Sequence, residues 1–143
     1  MKDNIMVSIV CVVYNHERFL RDTLNGFVSQ VTNFPIEILI HDDASTDGSA
    51  AIIHEYEKKY PNIFFPIYQT ENQYSKGVKI ADVLLYPRCR GKYIAICEGD
   101  DYWTDPHKLQ KQYDALERNP DIDLCANGAR IVDAITRSEE HTV

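Results

Sequence analysis

The amino-acid sequence predicts one α/β domain, a three-layer α/β/α arrangement around a mostly parallel, Rossmann-like sheet. Three observations predict it. Short β-branched runs alternate with stretches of helical periodicity. The runs are too continuously apolar for strands with a wet face, as expected where helices cover both sides. Two of them stop abruptly at carboxylates, which is how open parallel sheets deliver functional groups at the carboxyl ends of strands.

Met6–Val13 is the first such run and reads as a strand buried on both faces. Tyr14 and Asn15 end it. Asn15 is placed to cap a helix with Glu17 in its first turn, and Leu20, Leu24, Phe27, Val28 and Val31 fall on one helical stripe. Pro35 breaks that helix, and Ile36–Ile40 forms a second strand ending in His41-Asp42-Asp43. The capping-rich loop from Ala44 to Ser49 leads into a helix with Ile52, Ile53, Tyr56 and Tyr60 on its core side. A third strand follows over Ile63–Tyr68, where Pro66 predicts an edge position or a break.

Glu71–Gly77 is a polar loop, and Val78–Tyr86 is expected to be helical up to Pro87. The fourth strand begins after Gly91, runs from Tyr93 and empties into Glu98-Gly99-Asp100-Asp101, followed by Tyr102-Trp103. Pro106 is expected in the first turn of a helix carrying Leu109, Tyr113 and Leu116, and Ile122–Val132 holds further strand-like runs. Residues 1–137 are thus expected to form one domain and 138–143 a frayed polar tail.

Composition excludes several function classes. A net charge of −7 and pI near 5.1 oppose a nucleic-acid or anionic-membrane surface, both of which need clustered Lys and Arg. No run approaches the ~18–20 apolar residues of a membrane span, and the N-terminus lacks the apolar core of a signal peptide. The expected location is the cytoplasm, including the inner face of the membrane. Cys11, Cys89, Cys97 and Cys125 show no paired spacing and are expected to be reduced thiols.

The chemistry concentrates at two strand ends. In a parallel sheet these ends share one edge, so Asp42-Asp43 and Glu98, Asp100, Asp101 are expected to line one crevice. Carboxylates so concentrated repel one another unless neutralised, and the oxygen donors suit Mg²⁺ or Mn²⁺ shared with a phosphate-bearing ligand. Gly99 allows a tight turn between Glu98 and Asp100. Lys76, Lys79 and Arg88 are the cations that could offset diphosphate charge, Lys76 foremost because its loop follows the third strand, whereas His16 and His41 are expected to be a first-turn helix residue and a spacer. Tyr56, Tyr60 and Tyr113 are expected in the core.

Three blocks carry a resemblance: V-S-I-V-C-V-V-Y-N-H-E-R-F-L from Val7, E-I-L-I-H-D-D-A-S-T-D-G-S from Glu37, and R-G-K-Y-I-A-I-C-E-G-D-D-Y-W-T-D-P-H-K-L from Arg90. In this order and at these separations they resemble the N-terminal half of the inverting family 2 glycosyltransferases with the GT-A fold. The resemblance implies a nucleotide-diphosphate sugar donor, most often a uridine one, and an acceptor hydroxyl on a saccharide or other molecule. It implies that Val12 to Asn15, with Tyr14, lies against the nucleoside and that Asp43 hydrogen-bonds the base.

The family's D-x-D motif matches Glu98-Gly99-Asp100. Asp100 would be the metal ligand bridging to the diphosphate, with Glu98 near the metal or ribose and Asp101 beside them. The family's general base is a carboxylate of the acceptor-binding half, and nothing after Asp133 matches it, so a truncated, donor-binding chain is the alternative to a complete enzyme. Surface left bare by that half would favour a homo-oligomer. Family habit points to polysaccharide assembly. A nucleotidyltransferase would carry a Gly-rich loop where this chain reads V-V-Y-N-H-E, and a signalling receiver would carry its acidic pair after the first strand instead of the second.

Overall fold

The computed structural model describes residues 4–132 and 139–142. It divides into two compact units, Met1–Gln110 and Lys111–Val143. The first unit contains a sheet of four parallel strands, β1 (Val7–Val13), β2 (Ile36–Asp42), β3 (Phe64–Tyr68) and β4 (Tyr93–Ile96), in the order β3-β2-β1-β4. Helices α1 (Glu17–Val28) and α2 (Ser49–Lys59) connect the first three. In the second unit β5 (Arg130–Val132) pairs antiparallel with β6 (Glu139–Thr142). The expected frayed segment 138–143 therefore contributes residues 139–142 to a ladder.

The order of strands decides where a site can form. The chain moves from β1 to β2 to β3 in one direction, then returns across β1 to place β4 on its other side. Successive right-handed crossovers put α1 and α2 on one face, where Arg21 of α1 makes two 2.8 Å hydrogen bonds to Glu55 of α2. The β3-to-β4 connection must cover the opposite face. There Ile80 and Leu85 pack with Val10 and Leu39, whose side chains alternate with Ile9 and Ile38 on the helical face. Reversal of strand order at β1 opens a crevice at the carboxyl ends.

Most elements follow the sequence reading, and the departures have physical reasons. β1 and β2 are almost wholly buried, as their continuous apolar runs require. β3 is an edge strand, where Pro66 loses no sheet hydrogen bond. β4 is not the buried strand expected: it too is an edge strand, and Ile94 and Ile96 are 43% and 63% exposed because the crossover covers Val10 and Leu39 without reaching them. The expected helix over Val78–Tyr86 is a π-helical turn, Ala81–Leu85, running into a 3₁₀ turn at Tyr86–Arg88 that contains Pro87. Helix α3 (Lys108–Arg118) starts after Pro106. Tyr56 and Tyr60 are half-buried, with rings 6.0 and 6.2 Å from Phe64.

Asn15 does not cap α1. It adopts a left-handed backbone, φ 53°, and His16 takes the cap position with no side-chain capping bond. The helix starts are instead capped across some thirty residues of sequence. Ser49 Oγ accepts from His16 N–H and Asp47 Oδ2 from Glu17 N–H, while Glu17 Oε1 accepts from Gly48 N–H at 2.9 Å. Asn15 Oδ1 accepts from the amides of Thr46 and Asp47. The two βα turns thus fasten each other beside the crevice, satisfying orphan helix amides on both sides.

Candidate functional site

At the carboxyl edge a cleft of about 500 Å³ is lined by Val12, Tyr14, His16, Asp43, Asn72, Tyr74, Ser75, Ile80 and Glu98. Strand ends β1, β2 and β4 each contribute, so residues from 12 to 98 meet in one place. Of the residues singled out from the sequence, Val12, Tyr14, Asp43 and Glu98 line this cleft. Asn15, Asp42, Gly99, Asp100, Asp101 and Lys76 do not.

Asn15 spends its side chain on the neighbouring turn. Asp42 is buried, with Oδ2 accepting from Ser45 N–H and Oδ1 unpartnered among the described residues. Lys76 pairs with Glu71 at 2.5 Å on the exposed loop. Gly99 is a close approach: a Cβ there would lie 2.6 Å from His16 Nδ1 and 2.9 Å from Val13. Its glycine is required by packing beneath His16 and not by a left-handed turn.

Asp43 follows Asp42 at the end of β2, and the chain bends sharply after it, with Ala44 at φ 60°. Its carboxylate is fully buried. Oδ1 accepts from Gln73 N–H at 2.7 Å and Oδ2 from Tyr74 N–H at 3.0 Å, while its carbonyl accepts from Asn72 Nδ2. A carboxylate offers about four acceptor positions, and the two amides occupy two of them. Buried His41 lies 4.0 Å from Asp43 Oδ1, and burial pushes its imidazole down against the pull of the two aspartates, leaving it neutral.

The acidic loop after β4 is held by α1. Thr23, buried inside the helix's apolar stripe, places its hydroxyl against the carbonyls of Gly99, at 3.0 Å, and of Asp101. Trp103 packs on Phe27 at 4.9 Å, and Gly26 leaves space for its backbone, since a Cβ would meet Trp103 N and O at 3.2 Å. Glu98, Asp100 and Asp101 are thereby exposed at the rim. His16 Nε2 lies 3.9 Å from Asp100 Oδ2. Burial pushes the Cys11 thiol well up and the Cys97 thiol to about 12, with Cys97 and the nearby acids adding to the effect on Cys11. Both are protonated core thiols, and all four cysteines are free.

Thr23→Val tests this support. The change removes a hydroxyl at nearly constant shape and leaves two carbonyls without it, a loss of about 1–2 kcal/mol. Thermal unfolding should show a Tm several degrees below wild type, and an unchanged Tm would show that water replaces the hydroxyl at no cost.

Among the described residues no three His, Cys, Asp or Glu side chains are assembled to hold a metal. Exposed Glu98 and Asp100 still fit a hard cation, because Mg²⁺ and Mn²⁺ use one or two carboxylates and complete their shell with water and substrate phosphates. No helix among the described residues is long and apolar enough to cross a membrane.

A parallel sheet with a strand-order reversal, acids at its carboxyl edge and a cleft between them is a Rossmann-like α/β arrangement of GT-A type. The chain belongs to glycosyl transferase family 2, whose model matches residues 8–142. It is 46% identical over 126 residues to an uncharacterized Mycobacterium tuberculosis protein, covering 88% of this chain and 36% of that one. It is 33% identical over 111 residues to the putative teichuronic acid biosynthesis glycosyltransferase TuaG of Bacillus subtilis, covering 78% and 42%.

Solved structures share the fold. Staphylococcus aureus TarS 1–349 in complex with UDP matches with a TM-score of 0.68 at 22% identity, over 81% of this chain and 33% of that one. The mannosyltransferase PcManGT of Pyrobaculum calidifontis in complex with GDP-Man and Mn²⁺ matches with a TM-score of 0.66 at 20% identity, over 81% and 33%. The chain thus spans about a third of the length of the first of these relatives and of both solved proteins.

Proposed function

We propose that the cleft binds the nucleoside diphosphate of a sugar donor, a UDP-sugar foremost, for inverting transfer to an acceptor hydroxyl in polysaccharide assembly. The observation that carries this reading is the convergence of Asp43 and Glu98 on the end of β1 in one cleft. The apolar wall of Val12 and Ile80 with Tyr14 suits a nucleoside, and the acidic rim suits a cation that neutralises diphosphate. UDP in TarS and GDP-Man with Mn²⁺ in PcManGT support the ligand class.

In this reading Val12, Tyr14 and the turn at Asn15 receive the nucleoside, and Asp43 accepts a hydrogen bond from the base with a lone pair its loop leaves free. Asp100 and Glu98 hold Mn²⁺ or Mg²⁺, with Asp101 beside them, Gly99 setting their spacing and Asp42 bracing the β2 turn. The ion supplies charge neutralisation for the departing diphosphate. Lys76 serves the same end only by exchanging Glu71 for phosphate. The general base is not assigned to any residue of this chain, so donor binding is the primary claim, over residues 1–137 as the donor-binding domain, and transfer by the chain alone the secondary one. Exposed Ile94 and Ile96 are the surface through which copies would associate.

Calorimetric titration of UDP, UDP-sugars and GDP, each with and without Mn²⁺, tests the reading. Metal-dependent binding of a nucleoside diphosphate is expected, and its absence in folded protein overturns the donor site. Asp100→Asn should weaken binding in Mn²⁺ at least about tenfold while leaving the metal-free affinity alone, because the amide is a poor ligand for a hard cation. Equal weakening under both conditions would remove Asp100 from the metal.

A further inference from the structure

We infer that Tyr74 is the aromatic platform of the nucleoside end of the cleft, covering the face of the nucleobase, and that Asp43 is its positioning residue. The inference rests on the donor-site reading and adds to it a residue and a contact.

Tyr74 lines the cleft and yet is 78% exposed. A bare tyrosine on a loose loop would be ordinary, but this loop is tied at every step. Tyr74 N–H and Gln73 N–H each donate to a different oxygen of Asp43. Asn72 donates to the Asp43 carbonyl and accepts from Ser75 N–H at 2.8 Å, and Ser75 Oγ donates back to the Asn72 carbonyl. Gly77 closes the turn at φ 80°, its N–H donating to the Tyr74 carbonyl at 3.0 Å.

A fully buried carboxylate beneath an exposed loop is an expensive way to shape a surface turn, since its charge must be desolvated and matched by two amides. What the arrangement secures is the position of the one large side chain the loop carries into the cleft. Holding an aromatic ring in place before the ligand arrives removes the ordering cost from binding. Val12 and Ile80 give the same cleft apolar lining, and Tyr14 stands in it 44% exposed. A flat heteroaromatic ring matches such a lining, while a diphosphate presents no apolar face to it. Stacking on a tyrosine tolerates any base, so Tyr74 supplies affinity, and hydrogen bonds to the base edge are left to choose among nucleotides.

Titration of UDP and of inorganic pyrophosphate, both in Mn²⁺, against wild type, Tyr74→Phe, Tyr74→Leu and Tyr74→Ala tests the inference. Removing a stacking platform should weaken UDP on the order of 5- to 100-fold in the Ala variant. The Leu variant should fall between Ala and wild type, Phe should match wild type, and pyrophosphate affinity should be the same in all four. The exposed position makes folding insensitive to the change, which circular dichroism and Tm verify. UDP binding by wild type that Tyr74→Ala retains overturns this inference and leaves the donor site standing. Parallel loss of pyrophosphate in Tyr74→Ala likewise overturns it, assigning the effect to the diphosphate end, and wild type that binds no nucleoside diphosphate overturns the donor site and this inference together.

Discussion

Asp43→Ala should weaken UDP binding about 10- to 100-fold, and by the same factor with and without Mn²⁺. The factor corresponds to the ~1.5–3 kcal/mol of a hydrogen bond to a charged group. In the proposed donor site Asp43 takes the nucleoside end of the cleft and Asp100 the metal, so loss of Asp43 should not alter metal dependence. The change also removes the acceptors of the Gln73 and Tyr74 amides, so the loop that carries Tyr74 into the cleft loosens. Asp43→Asn should be intermediate: its carbonyl oxygen still accepts from one amide, while its NH₂ group faces the other donor to donor. Titration of UDP in Mn²⁺ and in EDTA reads both variants. Wild-type affinity in folded Asp43→Ala would show that neither the carboxylate nor the loop it anchors touches the nucleoside.

Glu37→Ala should cost about 2–3 kcal/mol of folding stability, a sizeable share of a domain total of about 5–15 kcal/mol. Glu37, the second residue of β2, is 2% exposed. Its Oε2 accepts from Ser8 Oγ at 2.6 Å and from Arg90 N–H at 2.7 Å, and its Oε1 from Arg90 Nε at 2.8 Å. Gly91 N–H donates to Ser8 Oγ at 2.8 Å, and a Cβ on Gly91 would lie 2.6 Å from Ser8 N, so the chain can enter β4 only as glycine here. Truncating Glu37 leaves the Arg90 amide, the buried Ser8 hydroxyl and the half-exposed Arg90 guanidinium without their acceptor and frees the start of the edge strand. Glu37→Gln, which keeps two acceptor lone pairs but sets its NH₂ group among donors, should cost less than half as much. Urea unfolding of the three proteins gives the comparison. A Glu37→Ala protein as stable as wild type would mean that water reaches these groups without loss.

The fold was legible because it depends on patterns local in sequence. Continuous β-branched runs such as Val7–Val13 cannot be solvated on either face, and helical stripes such as Leu20, Leu24 and Phe27 require a sheet to cover. Placement of the acids at strand ends followed from where those runs stop. The error over β4 has the same origin: Tyr93–Ile96 is as apolar as β1, but whether a neighbour covers it depends on strand order and on how far the crossover reaches, neither of which is encoded within the run.

Within the cleft, Asp43 and Glu98 were legible from their charge at strand ends, whereas Lys76, equally legible as a charge, does not line it and Tyr74 of the same loop does. Thr23 and Glu37 were also passed over. Each left a signal: a hydroxyl inside an apolar helical stripe and a single charge inside an apolar strand, both of which must find partners when buried. Their partners lie 76 and 53 residues away, at Gly99 and Arg90, and no spacing rule reaches so far.

By itself the sequence determined the parallel α/β class, the strand ends that bear carboxylates and the family to which the three blocks belong, because hydrophobic periodicity and short motifs act over a few neighbouring residues. Tertiary structure alone decided which carboxylates face the cleft, which are spent on the protein's own amides and which side chain the Asp43-anchored loop presents there. Those outcomes depend on strand order and on hydrogen-bond partners separated by dozens of residues, and a buried group is committed only when the chain has closed around it.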